Sequence, residues 1–160
     1  MGYAVLVAAL VAADQLVKYL VRANIPEMGS SPLLPRVLEL TYFKNTGAGF
    51  SLLTGHTWFL TLVSAVLSIL LAAALWRGLF RRPAGRVALA VLLAGAVGNL
   101  IDRAAFGFVT DMFRTLFIDF PVFNVADICI TLGGIAAAVY YLFFYDKLEG
   151  KRHDHPDADG

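Results

Sequence analysis

The sequence predicts an all-α membrane protein: four transmembrane helices, with a small β-structure in the first outer segment. Three observations carry this. The 160-residue chain is 59% hydrophobic and only 16% charged, where soluble domains run nearer a quarter charged. Its mean hydropathy of +0.71 agrees. Four apolar runs are each long enough to cross a bilayer as a helix, and the first stretch between runs holds strand-forming residues followed by glycines.

The first span covers residues 3–21 and is interrupted by Asp14, Gln15 and Lys18. A small-residue stretch at Val11-Ala-Ala13 resembles a signal-peptide cleavage site, but no basic region precedes it and the apolar pattern continues past it, so the span is retained. The second span, residues 57–76, carries no charge and lies between His56 and Arg77. The third covers residues 87–105, with Arg86 before it and Asp102 and Arg103 near its end. The fourth covers residues 128–145, between Asp127 and Asp146. Between spans one and two, Val37, Leu38, Leu40, Thr41, Tyr42 and Phe43 suit strands, and Gly47 and Gly49 suit tight turns. Residues 1–150 are expected to form one integral membrane domain, and residues 151–160 a disordered cytoplasmic tail.

Orientation follows from basic residues in short connections. Arg77, Arg81, Arg82 and Arg86 stand together without an acid between spans two and three, which places that link in the cytoplasm. Both termini are then cytoplasmic, and segments 22–56 and 102–127 lie outside. The net charge of +1 gives no sign of nucleic-acid binding. The single cysteine, Cys129, reads as a small buried apolar residue.

The chemistry is concentrated at the outer end. Asn-x-x-Asp occurs twice, as Asn99-Leu-Ile-Asp102 closing span three and as Asn124-Val-Ala-Asp127 opening span four. Both copies therefore emerge on one side, with Asp111 between them. Acids beside hydrocarbon have perturbed protonation and rarely serve packing alone. Asn124 and Asp127 also suit the N-cap and N3 positions of a helix, which is compatible with catalysis. Asp111 alone reads as a solvated loop acid. Paired with Asp127 it gives one ionised base and one neutral acid. Asp14 and Lys18 lie four apart on one helical face, where a charge pair must face protein or water. Asp102 stands at an unfavourable helix C-terminus unless Arg103 or Lys18 answers it. Gly95 and Gly98 read as close helix packing.

Other chemistries fit less well. No histidine cluster accompanies the acids, and a divalent ion held by carboxylates with Asn99 and Asn124 is a lesser alternative. Ser64 and Ser68 read as packing residues within span two rather than nucleophiles. A transporter would place ionisable groups at several depths, whereas here they crowd the outer half.

Together these residues resemble the bacterial lipoprotein signal peptidase family, also called signal peptidase II. Five blocks in order carry the resemblance: Asp14-Gln-Leu-Val-Lys18, Lys44-Asn-Thr-Gly-Ala-Gly-Phe50, Gly95-Ala-Val-Gly-Asn-Leu-Ile-Asp-Arg103, Val109-Thr-Asp111 and Phe123-Asn-Val-Ala-Asp127. The resemblance implies a metal-independent aspartyl peptidase of the inner membrane, with an outer β-cradle and no cofactor. Such an enzyme cuts prolipoproteins just before a diacylglyceryl-modified cysteine at the outer face of the membrane, in contact with membrane lipids, and binds globomycin-type inhibitors. It implies Asp111 and Asp127 as the catalytic pair. Asp14, Lys18, Asn45, Gly47, Asn99, Asp102, Arg103 and Asn124 would shape the site or contact substrate. The chain departs from the family pattern at Lys44, Gly49, Ala94 and Thr110, positions that bear on cradle packing and substrate preference more than on reaction type.

Overall fold

The computed structural model describes residues 2–47 and 57–149. The expected disordered tail, Gly49, Phe50 and His56 lie outside the described residues. Four helices are long and apolar enough to cross a membrane: α1 (Gly2–Asn24), α2 (Thr57–Trp76), α3 (Pro83–Phe106) and α4 (Val125–Glu149). Helix α3 starts four residues ahead of its apolar run. Pro83 occupies the first turn, where its missing N–H costs nothing. Arg86 is accommodated there by stacking 4.5 Å from the centre of the Tyr3 ring of α1.

Helix α3 is the central element. Of its most apolar stretch 56% is buried, against 17%, 11% and 17% in α1, α2 and α4, which leave most of their surface to lipid. Within a bilayer little hydrophobic force drives helix against helix, so close approach depends on small residues. A Cβ on Gly95 would stand 2.4 Å from the Ala126 carbonyl oxygen of α4, and one on Gly133 would stand 2.5 Å from Leu92 N of α3. The two helices therefore touch backbone to backbone at two levels. At the far end, Phe80 from the α2–α3 connection is buried against Leu89 and Tyr140 and closes the bundle there.

The β-structure is larger than the sequence predicts. Strands β1 (Ser30–Leu34) and β2 (Leu38–Asn45) form a hairpin between α1 and α2, and β3 (Val109–Thr115), between α3 and α4, completes an antiparallel sheet of order β1-β2-β3. Asp111 is thus a strand residue and not a loop acid. The strand is hidden in the sequence because Val109 through Met112 are all buried, so no alternation of polar and apolar residues marks it. Its entry is set by Gly107, whose φ of 75° ends α3 in a left-handed cap with its N–H bonded to Arg103 O at 3.1 Å. One extra residue in β2 between Leu40 and Phe43 bulges the ladder beside Met112.

Replacing Gly95 by alanine should destabilise the protein by roughly 1–3 kcal/mol, because the new methyl meets backbone that cannot step aside. Thermal unfolding in detergent measures it, and an unchanged midpoint would mean that the α3–α4 contact is looser than described.

Candidate active site

The site is assembled around a lysine with no access to solvent. Lys18 is 0% exposed, and its Nζ lies 2.9 Å from Asp14 Oδ2 and 3.6 Å from Asp102 Oδ2. It also donates to Asn99 Oδ1 at 3.0 Å and Gly98 O at 3.4 Å. An uncompensated lysine at mid-membrane costs about 3 kcal/mol or more, and here acceptors from α1 and α3 enclose it. Gln15 completes the cage, donating to Asp14 Oδ2, Asp102 Oδ1 and Gly98 O at 3.1 Å each. Gly98 leaves room for it, since a Cβ there would stand 2.7 Å from Asp14 Oδ2.

The carboxylates of the cage reach outward. Asp14 Oδ1 accepts from the Ala126 N–H at 2.8 Å, satisfying a free donor in the first turn of α4. Asp102 Oδ2 accepts from the Thr110 N–H at 2.8 Å and so holds β3. This answers the unfavourable position of Asp102 near a helix C-terminus: Lys18, and Arg22 at 3.8 Å, face it. Arg103 turns away, donating to Ser64 Oγ and Gly47 O at 3.3 Å each.

Three asparagines then present donors to Asp111 and Asp127. Asn99 Nδ2 donates to Asp127 Oδ1 at 2.8 Å, while its oxygen is occupied by Lys18 and by Asn124 Nδ2 at 3.1 Å. Asn124 caps α4: its Oδ1 accepts from the Asp127 N–H at 2.9 Å, and Asp127 Oδ2 accepts from the Asn124 N–H at 3.1 Å. The free end of the amide, Nδ2, donates to Asp111 Oδ1 at 2.6 Å. Asn45 Oδ1 accepts from the Gly47 N–H at 2.9 Å, and its Nδ2 donates to Asp111 Oδ2 at 2.9 Å. Each amide oxygen is engaged by a donor, so each NH2 is committed to a carboxylate.

Asp111 and Asp127 line one cavity of about 830 Å³, together with Asn45, Asn99 and Arg103. Phe43, Asn45, Val109 and Asp111 share one face of the β2–β3 ladder, which forms one wall. Ile128, Thr131 and Leu132 of α4 form another, and Phe120 to Phe123 close the side between them. Burial pushes the Asp111 carboxyl up to about 7, with the charge of Asp127 adding to the push. The Asn45 and Asn124 amides and the Lys18 charge pull it down.

Residues 6–144 match the family profile described as signal peptidase (SPase) II. The chain belongs to the signal peptidase II family. It is 40% identical to the lipoprotein signal peptidase of Lactiplantibacillus plantarum, over 83% of this chain and 89% of that one. It is 43% identical to that of Lactococcus lactis subsp. lactis, over 77% and 81%. A solved bacterial membrane enzyme matches its fold with a TM-score of 0.82 and 28% identity, covering 98% of this chain and 94% of that one.

Membership in the signal peptidase II family makes the chain a peptidase. The residues singled out from sequence fall into two groups around its cavity. Asn45, Asn99, Arg103, Asp111 and Asp127 line it. Asp14, Lys18, Asp102 and Asn124 stand behind in the hydrogen-bond network, and Gly47 is buried at the edge, held by Asn45 and Arg103. Sequence reasoning missed Gln15, Arg22 and Thr110, which bond to that network, and Arg114 and Asp119, which line the cavity. Gln15 carried a usable signal, a polar residue inside a span beside an acid. Arg114 and Asp119 carried none, because ordinary surface charges look the same.

Lys18→Met should destabilise the protein by roughly 3–5 kcal/mol, since it strands two buried carboxylates. The loss should appear as a lower unfolding midpoint in detergent and poor accumulation in membranes. A variant of parental stability would show that the cage holds together without its lysine.

Proposed function

We propose that this signal peptidase II family member is an aspartyl endopeptidase that removes signal peptides from diacylglyceryl-modified prolipoproteins, cutting just before the lipidated cysteine. The observation that carries the reading is the pair of carboxylates, from β3 and α4, on the wall of one cavity, each held by asparagine NH2 groups. A water between them loses a proton to ionised Asp127 as its oxygen attacks the scissile carbonyl carbon. Asp111, protonated, donates to the carbonyl oxygen. As the tetrahedral intermediate collapses, Asp111 takes back the proton from that oxygen and the carbonyl re-forms, the C–N bond breaks, and Asp127 passes its proton to the leaving amine. No covalent acyl-enzyme forms and no metal takes part. The engaged amide oxygens support the last point, because the groups around the pair face it as donors and leave few acceptors for a cation.

Two features support the substrate. The cavity pairs an apolar wall on α4 with a polar floor, which suits a lipidated peptide whose acyl chains stay in the bilayer. The arginines at 77, 81, 82 and 86 support an orientation with both termini in the cytoplasm and the site at the outer face of the bacterial inner membrane. Globomycin-type cyclic peptides would occupy the same cavity.

Asp111→Asn and Asp127→Asn should each insert and fold yet lower cleavage of a diacylglyceryl prolipoprotein by at least about a thousandfold, read as uncut precursor on a gel; substantial cleavage by either sinks the pair. EDTA should leave the rate unchanged, and inhibition would restore the metal alternative. The pH profile follows from the Asp111 carboxyl. Its pKa of about 7 keeps it protonated below that pH and ionises it above, so kcat should fall as pH rises through about 7. A rate still rising at pH 9 would contradict Asp111 as the acid.

A further inference from the structure

Thr110 stands next to Asp111 in β3 and is completely buried, yet it carries a hydroxyl. Successive strand residues face opposite ways, so Thr110 faces the helices while Asp111 faces the cavity. Its Oγ1 accepts from Arg22 Nη1 of α1 at 2.8 Å, and its N–H donates to Asp102 Oδ2 of α3 at 2.8 Å. Arg22 is itself fixed, with its guanidinium 4.6 Å from the centre of the Phe106 ring and Nη1 3.8 Å from Asp102 Oδ2.

We propose that Arg22 and Thr110 form a positioning clamp that sets the placement of Asp111 against Asp127. This rests on the reading of those two aspartates as the catalytic pair. Other directional bonds tie this part of β3 to β2, to the start of α4 and to the segment before it: the Asp111 carboxylate accepts from Asn45 and Asn124, and the Met112 and Phe113 N–H groups donate to Phe123 O. Toward α1, however, the remaining contacts are permissive. Met112, on the same face as Thr110, packs with Val21 and Tyr42 in an apolar cluster, and such contacts tolerate sliding because they are non-directional. The ladder to β2 is interrupted by the bulge beside Met112, which leaves the pairing of Asp111 with Phe43 less constrained from that side. A hydrogen bond to the Thr110 side chain is directional. With the Asp102 bond it holds residue 110 by side chain and backbone at once. Neither Arg22 nor Thr110 lines the cavity, so both act through the strand.

The test compares Thr110→Val, Thr110→Ser, Arg22→Gln and the double variant Arg22→Gln/Thr110→Val with the parent. Each is assayed for kcat and KM on a diacylglyceryl prolipoprotein and for thermal unfolding in detergent, with Asp111→Asn as control. Valine keeps the shape of threonine and removes only the bond, so kcat should fall about tenfold with KM within about twofold. Serine should restore kcat to within about twofold of the parent, and the double variant should be no worse than Arg22→Gln alone, as expected for two residues sharing one interaction. A parental kcat in Thr110→Val beside an inactive Asp111→Asn overturns the clamp and leaves the pair standing. Loss that serine does not restore, or that follows a lowered unfolding midpoint, also overturns it. An active Asp111→Asn overturns the pair itself.

Discussion

A lysine ammonium that cannot reach water must be answered by acceptors, and in this protein the answer organises every element around the site. Lys18 sits in a helix that would otherwise be an ordinary span. Its charge draws Asp14 from its own helix and Asp102, Asn99 and Gly98 O from α3. Those acceptors then have capacity to spare, and they use it on other elements: Asp14 on the first turn of α4, Asp102 on β3. Helix packing by glycine brings α3 and α4 together, and the polar network adds directional bonds between them. A buried ion cluster of this kind is weak as a source of stability and strong as a source of register.

The same network decides which way the amides point. An asparagine side chain has a donor end and an acceptor end of nearly equal shape, so its orientation is set by its neighbours. At Asn99 the ammonium of Lys18 claims the oxygen, at Asn124 the Asp127 N–H claims it, and at Asn45 the Gly47 N–H does so. The NH2 groups are left for Asp111 and Asp127. Donors aimed at buried carboxylates offset part of the cost of taking them out of water. The charge of Lys18 thus bears on the pair through an amide, without touching either carboxylate.

Much of this was legible in the sequence, and the limits are instructive. The spans stand out because hydropathy is a local property, summed over neighbours along one helix. The hairpin of β1 and β2 was legible in part from its β-branched and aromatic residues. Strand β3 was not, because its first four residues are all buried and show no alternation, so it reads as a short connection. The repeated Asn-x-x-Asp drew attention to both helix ends, but its two copies do different things. Asp102 is tied to Lys18, Gln15 and a strand N–H behind the cavity, whereas Asp127 lines it.

The sequence by itself determined the solvent, the number of spans, the presence of β-structure between the first two spans and the residue types crowded at one end. It could do so because each depends on composition within a single segment. The tertiary structure decided that Asp111 belongs to a strand, that Asp102 stands behind the cavity, and that Arg22 and Thr110 meet. Those outcomes rest on hydrogen bonds between residues as far apart as Asp14 and Ala126, separated by 112 positions. The direction of such a bond is fixed only when the helices and the sheet have packed, so no pattern within a segment records it.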